Sequence, residues 1–380
     1  MPSLLPETDP NGLLEYSVVF SDRSLNHMSQ SFKDVMINIS NTLKKVYNAE
    51  SVVVVPGGGT FGMEAVARQF ASNKKCLILR NGWFSYRWSQ ILEMGEISSK
   101  ISVMKANIIV SSDDEYDHQP PMEPAPIQEV IEQIKIQRPN IVFAPHVETS
   151  AGMILSDDYI SLVSQATHEV GGIFVLDCVA SGTLWVDMKK LGIDVLISAP
   201  QKGWSASPCS ALVMLSPAAR DLIDKTKSTS FSCDLLKWLQ IMEIYENGGQ
   251  AYHSTMPTDA LLKFNNAMKE TEAYGFEKVR FEQRKLGAKV RKMLEEKGFR
   301  SVAADGFKAP TVIVSYTDDK EIQNGKKFMQ EGLQVAAGIP LMCDEDENFQ
   351  TFRIGLFGLD KLHNIERTIK HLRLAVERII

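Results

Sequence analysis

The sequence predicts an α/β protein: a mostly parallel sheet sandwiched by helices in a large domain, followed by a smaller C-terminal α+β domain. Three observations predict it. Short aliphatic runs alternate with helical stripes between about residues 50 and 215. Those runs are continuously apolar, as strands buried on both faces are. Beyond about residue 258, long helical stretches surround only a few strand candidates. These shifts divide the chain into an N-terminal arm at 1–25, a large domain at 26–258 and a small domain at 259–380.

In chain order, the first dozen residues are rich in Pro, Asp and Asn and read as an arm. Phe32, Val35, Met36, Ile39, Leu43 and Val46 recur at helical spacing and predict a helix over 29–46. Strands are expected at 51–55, 76–79, 101–104, 141–144, 173–176, 195–197 and 211–215. Between them, Met63, Val66, Ala67 and Phe70 form one helical stripe, and Ile127, Val130, Ile131 and Ile134 another. A third, Tyr159, Leu162, Val163 and Ala166, follows Ser156-Asp157, a helix-capping pair. Helices at 258–273, 275–298 and 362–379 and strands at 310–316 and 351–356 complete the small domain.

Composition removes several function classes. The chain has 380 residues, 44% of them apolar, and a net charge of −6. A mildly acidic chain carries no electrostatic footprint for nucleic acid. No apolar run approaches a membrane span. The first 22 residues hold no Lys or Arg and predict neither a secretory signal nor a transit peptide. The five cysteines form no close pair and read as reduced thiols of a cytoplasmic protein. The seven histidines show no metal-ligand spacing, so no metal is expected.

The chemistry concentrates in three places. The 51–55 run leads into Pro56-Gly57-Gly58-Gly59-Thr60-Phe61-Gly62 and then a helix. Gly57, Gly59 and Gly62 satisfy a dinucleotide fingerprint, and a nucleotide-binding dehydrogenase is one reading of them. The physics is more general: glycines let backbone N–H groups approach an anion at a helix N-terminus. The next strand ends at Leu79-Arg80 without an acid for a ribose, which favours another phosphate. Lys202 follows a buried strand directly, among small residues. Desolvation lowers an amine pKa and makes the amine a nucleophile toward carbonyls. Asp177 ends another apolar strand, at the sheet edge where ligands bind in open α/β folds. A lysine, an acid and a phosphate loop together describe pyridoxal phosphate chemistry.

The segments around these residues resemble the class V aminotransferases of fold type I, most of all the alanine–glyoxylate and serine–glyoxylate (serine–pyruvate) branch, over roughly 27–380. Ser198-Ala199-Pro200-Gln201-Lys202 resembles the family's Schiff-base segment, implying that Lys202 binds the cofactor and Gln201 its phosphate. Val175-Leu176-Asp177-Cys178-Val179 implies Asp177 as partner of the ring nitrogen and Val179 against one ring face. Gly58, Gly59 and Thr60 fall on the phosphate loop. Asn81-Gly82-Trp83-Phe84 implies Phe84 as the stacking aromatic, with Trp83 one place away. His146-Val147-Glu148-Thr149-Ser150 implies a hydroxyl on the ring's 3-oxygen, from Ser150 or alternatively Thr149. Tyr252 and Thr255, in Tyr252-His253-Ser254-Thr255-Met256-Pro257, would reach the phosphate held by a neighbouring subunit, making composite active sites in a homodimer. Arg353, in Phe352-Arg353-Ile354-Gly355, would clamp the substrate carboxylate; a guanidinium suits this because it forks onto a carboxylate.

The resemblance thus implies a pyridoxal-phosphate-dependent aminotransferase moving an amino group from a small amino acid, of the alanine or serine type, to a small 2-oxo acid, of the glyoxylate or pyruvate type. Lys202 would also move the proton from the substrate α-carbon. Another pyridoxal phosphate reaction (a lyase, or an aminophosphonate transaminase) and a non-catalytic cofactor-binding member are the rival readings inside the family. A desulfurase reading would need Cys343, which stands much nearer to Arg353 than the catalytic cysteine of desulfurases stands to theirs. The chain departs from the family at its start: the Gly-Pro-rich opening is replaced by residues 14–28, where Tyr16, Arg23 or Asn26 could touch a substrate and Met28 stands where a basic residue is common. Glu115 and Asp117 read as a solvated loop.

Overall fold

The computed structural model describes residues 9–109 and 119–380, so the expected loop at Glu115 and Asp117 lies outside the described residues. Seven strands form the main sheet, in the order Ser51–Pro56, Ser210–Leu215, Val195–Ser198, Ile173–Asp177, Ile141–Pro145, Lys75–Arg80, Lys100–Lys105. Ser210–Leu215 runs antiparallel to both neighbours; the other pairings are parallel. The inner strands are buried almost throughout, which is why their sequences are unbroken aliphatic runs. Lys100–Lys105, at the edge, has lysines at both ends and half-buried residues between them. One consequence matters for the site: Pro56, Arg80, Pro145, Asp177 and Ser198 all end strands that run the same way, so they converge on one edge of the sheet.

Helices flank this sheet. Gln30–Tyr47 is capped by Ser29, whose hydroxyl accepts the Phe32 N–H at 3.1 Å, and is closed by Asn48 in the left-handed region. Its expected stripe is buried, except that Tyr47 enters the core where Val46 is only half-buried. Asp157–Glu169 starts as expected, with Ser156 accepting the Tyr159 N–H at 3.2 Å. Leu162, expected in its stripe, is instead 39% exposed, and Ile160 takes the inward position. The two lie on different sides of the helix, and strong apolarity at both makes the sequence ambiguous there.

The C-terminal part carries a three-stranded antiparallel sheet in the order Val312–Tyr316, Thr351–Gly355, Ala336–Ala337. The last of these strands has no counterpart in the sequence pattern; two alanines are too short to make one. Phe276–Glu296 packs on this sheet and Ile365–Ile379 on that helix, while Thr258–Tyr274 packs against Phe276–Glu296 and Gln30–Tyr47. The helix expected at 362–379 is broken: Leu359–His363 ends at Asn364, whose side chain caps the next helix by accepting the Arg367 N–H at 3.1 Å. Residues 9–29 form neither helix nor strand, apart from turns. Leu25 pins them, being fully buried with its N–H on the Asp259 carboxylate at 2.8 Å. Among the described residues, no helix is long and apolar enough to cross a membrane.

Gly62 shows how tightly the glycine-loop helix, Gly59–Phe70, lies on the sheet. A Cβ there would meet the Ala211 Cβ at 2.5 Å. Gly62→Val is therefore expected to destabilise the protein by ~1–3 kcal/mol, read as a lower urea midpoint at unchanged slope. An unchanged midpoint would mean that the helix can ride outward freely.

Candidate active site

The glycine loop begins the site. Gly57 turns the chain at φ 120, with its N–H held by the Cys209 carbonyl at 3.0 Å. Gly58 has open space where a Cβ would be, so a ligand can approach its backbone. Gly59 lies so close to Val179 that a Cβ would sit 2.8 Å from that side chain. The loop is thereby locked to the strand end carrying Asp177.

Asp177 is 8% exposed and accepts the Val179 N–H at 2.9 Å. Burial pushes its carboxyl up to about 6; the Glu148 charge adds to that, while the Val179 N–H and Arg87 oppose it. Lys202 sits just past the next strand. Gly203 brings the two loops into contact, since a Cβ there would lie 1.9 Å from the Gly182 carbonyl oxygen. Burial, then the nearby Arg353 charge, lowers the Lys202 amine's affinity for its proton. Its Nζ stands 4.9 Å from the centre of the Phe357 ring. The adjacent Gln201 has a buried side-chain oxygen without a partner among the described residues.

Asn81-Gly82 forms the turn into the helix Trp83–Met94. Glu148, with no exposure, organises that turn. Its carboxylate accepts the N–H groups of Phe84 at 3.2 Å, Ser85 at 2.9 Å and Ser150 at 3.1 Å, and the hydroxyls of Ser85 at 2.8 Å and Ser150 at 2.7 Å. A carboxylate at a helix N-terminus also complements the helix dipole. Phe84 projects from the turn with two guanidinium groups near its ring, Arg87 at 4.9 Å and Arg353 at 5.9 Å from the ring centre. Arg87 also donates to the Thr60 hydroxyl at 2.8 Å, joining the aromatic turn to the glycine loop. Arg353 extends from the strand Thr351–Gly355 and donates through Nε to the Ala337 carbonyl at 2.8 Å.

The structure thus brings together Gly58, Gly59, Thr60, Phe84, Asp177, Val179, Lys202 and Arg353 through these direct contacts or charge effects. Gln201 is carried beside Lys202. Ser150 is near but engaged: its only hydroxyl proton goes to Glu148, and its oxygen accepts the Trp83 N–H at 2.9 Å. Thr149, buried beside it, has no side-chain hydrogen bond among the described residues. Tyr252 and Thr255 stand apart. They bond to each other at 2.8 Å on the surface, Tyr252 being 51% exposed. Of the arm residues, Tyr16 and Arg23 are exposed, while Asn26 donates to Glu15 at 2.5 Å and Ser17 at 3.1 Å. Cys343 is buried and its thiol pushed up to about 12, the opposite of an activated nucleophile.

Three further residues belong to the site without standing out in the sequence. Glu148 lies between His146 and Ser150 and looks there like an ordinary loop acid. Arg87 follows Phe84 at helical i,i+3 spacing, a readable signal. Phe357 lies just past Arg353, in a stretch where only the arginine draws attention.

The sequence model of the class V aminotransferase family matches residues 13–356. The chain is a class V aminotransferase. That sets aside the dehydrogenase reading of Gly57, Gly59 and Gly62. One relative of this aminotransferase is the 2-aminoethylphosphonate–pyruvate transaminase of Bacillus cereus (strain ATCC 10987 / NRS 248), 27% identical over 362 residues, or 93% of this chain and 91% of that one. The alanine–glyoxylate aminotransferase 1 of Saccharomyces cerevisiae is 28% identical over 273 residues, covering 67% of this chain and 66% of that one. The fold of the aminotransferase is that of the alanine–glyoxylate aminotransferase from Nostoc sp., with a TM-score of 0.77 at 20% identity, over 93% of this chain and 89% of that one.

The family implies pyridoxal phosphate, and the site's own features fit it: an open glycine cradle at Gly58, an orphaned polar atom on Gln201, an aromatic ring at Phe84 and a buried carboxyl at Asp177 whose charged form a cationic partner would favour. The Asp177 shift gives a pH test on the cofactor-free aminotransferase. The folded carboxyl titrates at about 6, against 3.8 for an unperturbed aspartate, so between those values the folded state binds the extra proton. Stability from this group falls as pH rises through that window. Relative to the parent, Asp177→Asn should therefore gain in chemical-denaturation stability from about pH 4 to about pH 7. A difference that is flat with pH would mean that Asp177 is not raised.

Proposed function

We propose that this chain is a transaminase that uses pyridoxal phosphate attached to the Lys202 amine and moves an amino group from a small amino acid, such as alanine or serine, to glyoxylate or pyruvate. The observation that carries this reading is the partly desolvated Lys202 amine with Asp177 on the neighbouring strand end and Arg353 close enough to depress its protonation. A bound pyridoxal phosphate supplies an electron sink for the pair left on the substrate α-carbon when its proton departs.

Each residue then has a task. Gly58, Gly59, Thr60 and Gln201 hold the phosphate, with backbone N–H groups and the helix N-terminus favouring the anion. Asp177 keeps a proton on the ring nitrogen by presenting its carboxylate there. Phe84 and Val179 hold the two ring faces. The hydroxyl that donates to the ring oxygen is Thr149 rather than Ser150, because the Ser150 proton is committed to Glu148. Arg353 orients the substrate by its carboxylate. Lys202 Nζ takes the α-proton, a role its lowered proton affinity suits, since an amine must be neutral to act as base. Tyr252 and Thr255 complete the phosphate site of a partner subunit, which accounts for a hydroxyl pair on the surface of one protomer.

A second reading, transamination of an aminophosphonate, draws on the full-length similarity to the Bacillus cereus enzyme. Conversion of the yellow protein by alanine or serine, reversed by a keto acid, supports the first reading. Conversion by 2-aminoethylphosphonate alone supports the second.

Three experiments test the assignments. Borohydride reduction should fix the cofactor on the peptide containing Lys202, and Lys202→Ala should lose both the adduct and turnover; an adduct on another lysine would refute the site. Arg353→Ala should lower kcat/KM for amino acids by roughly ten- to a hundredfold, the worth of a charge-assisted contact. Lysine there should rescue only in part, because it lacks the fork; an equal loss with amines that carry no carboxylate would refute the clamp. Finally, a Lys202→Ala chain mixed with a Tyr252→Phe, Thr255→Ala chain should regain activity above either parent, since one mixed site keeps both halves intact. Confirmed subunit exchange without recovery would place those residues in their own chain's site.

A further inference from the structure

Away from the candidate active site, a cleft of about 510 Å³ opens beside the helix Phe276–Glu296. Arg280, Arg284 and Arg291 line it from one face of that helix, and Ala288 leaves the room between them. Like charges at i,i+4 repel, as Arg280 and Arg284 must. Their compensation is slight: Arg280 lies 3.8 Å from the exposed Glu277, and Arg284 has no ion pair among the described residues. Arg291 is the most telling. It is only 8% exposed, and its donors go to neutral partners, the Ser301 hydroxyl at 2.8 Å and the Ala309 carbonyl at 2.8 Å. No carboxylate bonds it directly, and burial lowers its pKa to about 10 although the Glu295 and Asp305 charges nearby oppose that shift. Lys308, also on the cleft, is already neutralised by Glu295 at 2.9 Å and Asp305 at 2.8 Å. Asp157 is the one acid among the lining residues.

Leu155, Leu184 and Trp185 give the lining an apolar part, beside the polar His146 and Ser156. The cleft's volume exceeds what a bare oxyanion fills. We propose that this cleft is a second ligand site, which binds a small organic phosphate monoester, its dianion between Arg280, Arg284 and Arg291 and its organic part against Trp185. Phosphate suits guanidinium groups that approach from several heights along a helix, because its oxygens point in several directions.

The test uses protein loaded with pyridoxal phosphate and titrated calorimetrically at constant ionic strength with phenyl phosphate, inorganic phosphate or chloride. We expect one phenyl phosphate per chain, bound more tightly than inorganic phosphate, with no saturable chloride heat. The exposed change Arg284→Ser, alone or with Arg280→Ser, should weaken phenyl phosphate roughly tenfold or more, and Arg291→Gln likewise if it folds. The proposal is overturned by the absence of saturable binding, or by binding that the Arg280 and Arg284 changes leave intact. Binding present only before loading would assign the ion to the glycine loop and overturn it equally. Equal affinities for the ester and the inorganic ion would remove the organic part of the claim. None of these outcomes depends on which amino acids the enzyme transaminates.

Discussion

The site rests on the Glu148 carboxylate. It has no contact with solvent, yet it satisfies three backbone N–H groups and two hydroxyls from segments far apart in the chain. An ionised group is tolerated at such depth only when its lone pairs are used in this way. The arrangement leaves no room for a side chain at Gly82, where a Cβ would lie 2.1 Å from the Ser150 hydroxyl. With the turn fixed, Phe84 has one place to go, and the guanidinium groups of Arg87 and Arg353 settle about its ring. The same charge is felt further off: it raises the proton affinity of Asp177 and helps to keep Arg353 charged against burial.

Across the site, the placement of Lys202 follows from backbone contact. Gly203 and Gly182 pass so closely that neither loop can shift alone. Trp204 is buried beyond them, 4.5 Å from Trp185 and near Tyr47, whose hydroxyl meets Ser198 at 3.3 Å. Ser205 accepts the Leu359 N–H at 2.8 Å and so ties this loop to the chain just beyond Arg353. The lysine is thus carried by a segment anchored at both ends. Its lowered proton affinity is a property of where that segment is held, with burial the larger cause and the Arg353 charge the lesser.

How far the sequence can be read follows the same division. Strands buried on both faces announce themselves as aliphatic runs, and the strand ends then carry Asp177 and Lys202 to one edge by topology alone. Helix boundaries are legible where a cap stands out, as at Ser156. They are hidden where the cap lies inside an apolar pattern, as at Asn364. Leu162 misleads because an apolar residue next to a helical stripe looks the same whether it faces core or water. Glu148 is illegible for a deeper reason. Its burial depends on residues 81–85 and 148–150 meeting in space, and nothing near Glu148 in the sequence reports that meeting.

The charges of the site also constrain what it can hold. Arg353 depresses the protonation of Lys202, and the Glu148 charge opposes the ionisation of Asp177. Burial, with the Glu148 charge as a lesser cause, pushes the carboxyl of Asp177 up to about 6, whereas an ordinary structural ion pair would lower it. A neutral ligand beside it would leave its proton affinity raised, and an anionic one would drive it higher still. On the proposed reading, a ring that can itself carry a proton would reverse the balance: Asp177 would be its counter-ion, and burial, which opposes the isolated charge, would strengthen the pair. The desolvation that makes Asp177 a weaker acid alone is therefore what would suit it, on that reading, to pair with a protonated heterocycle.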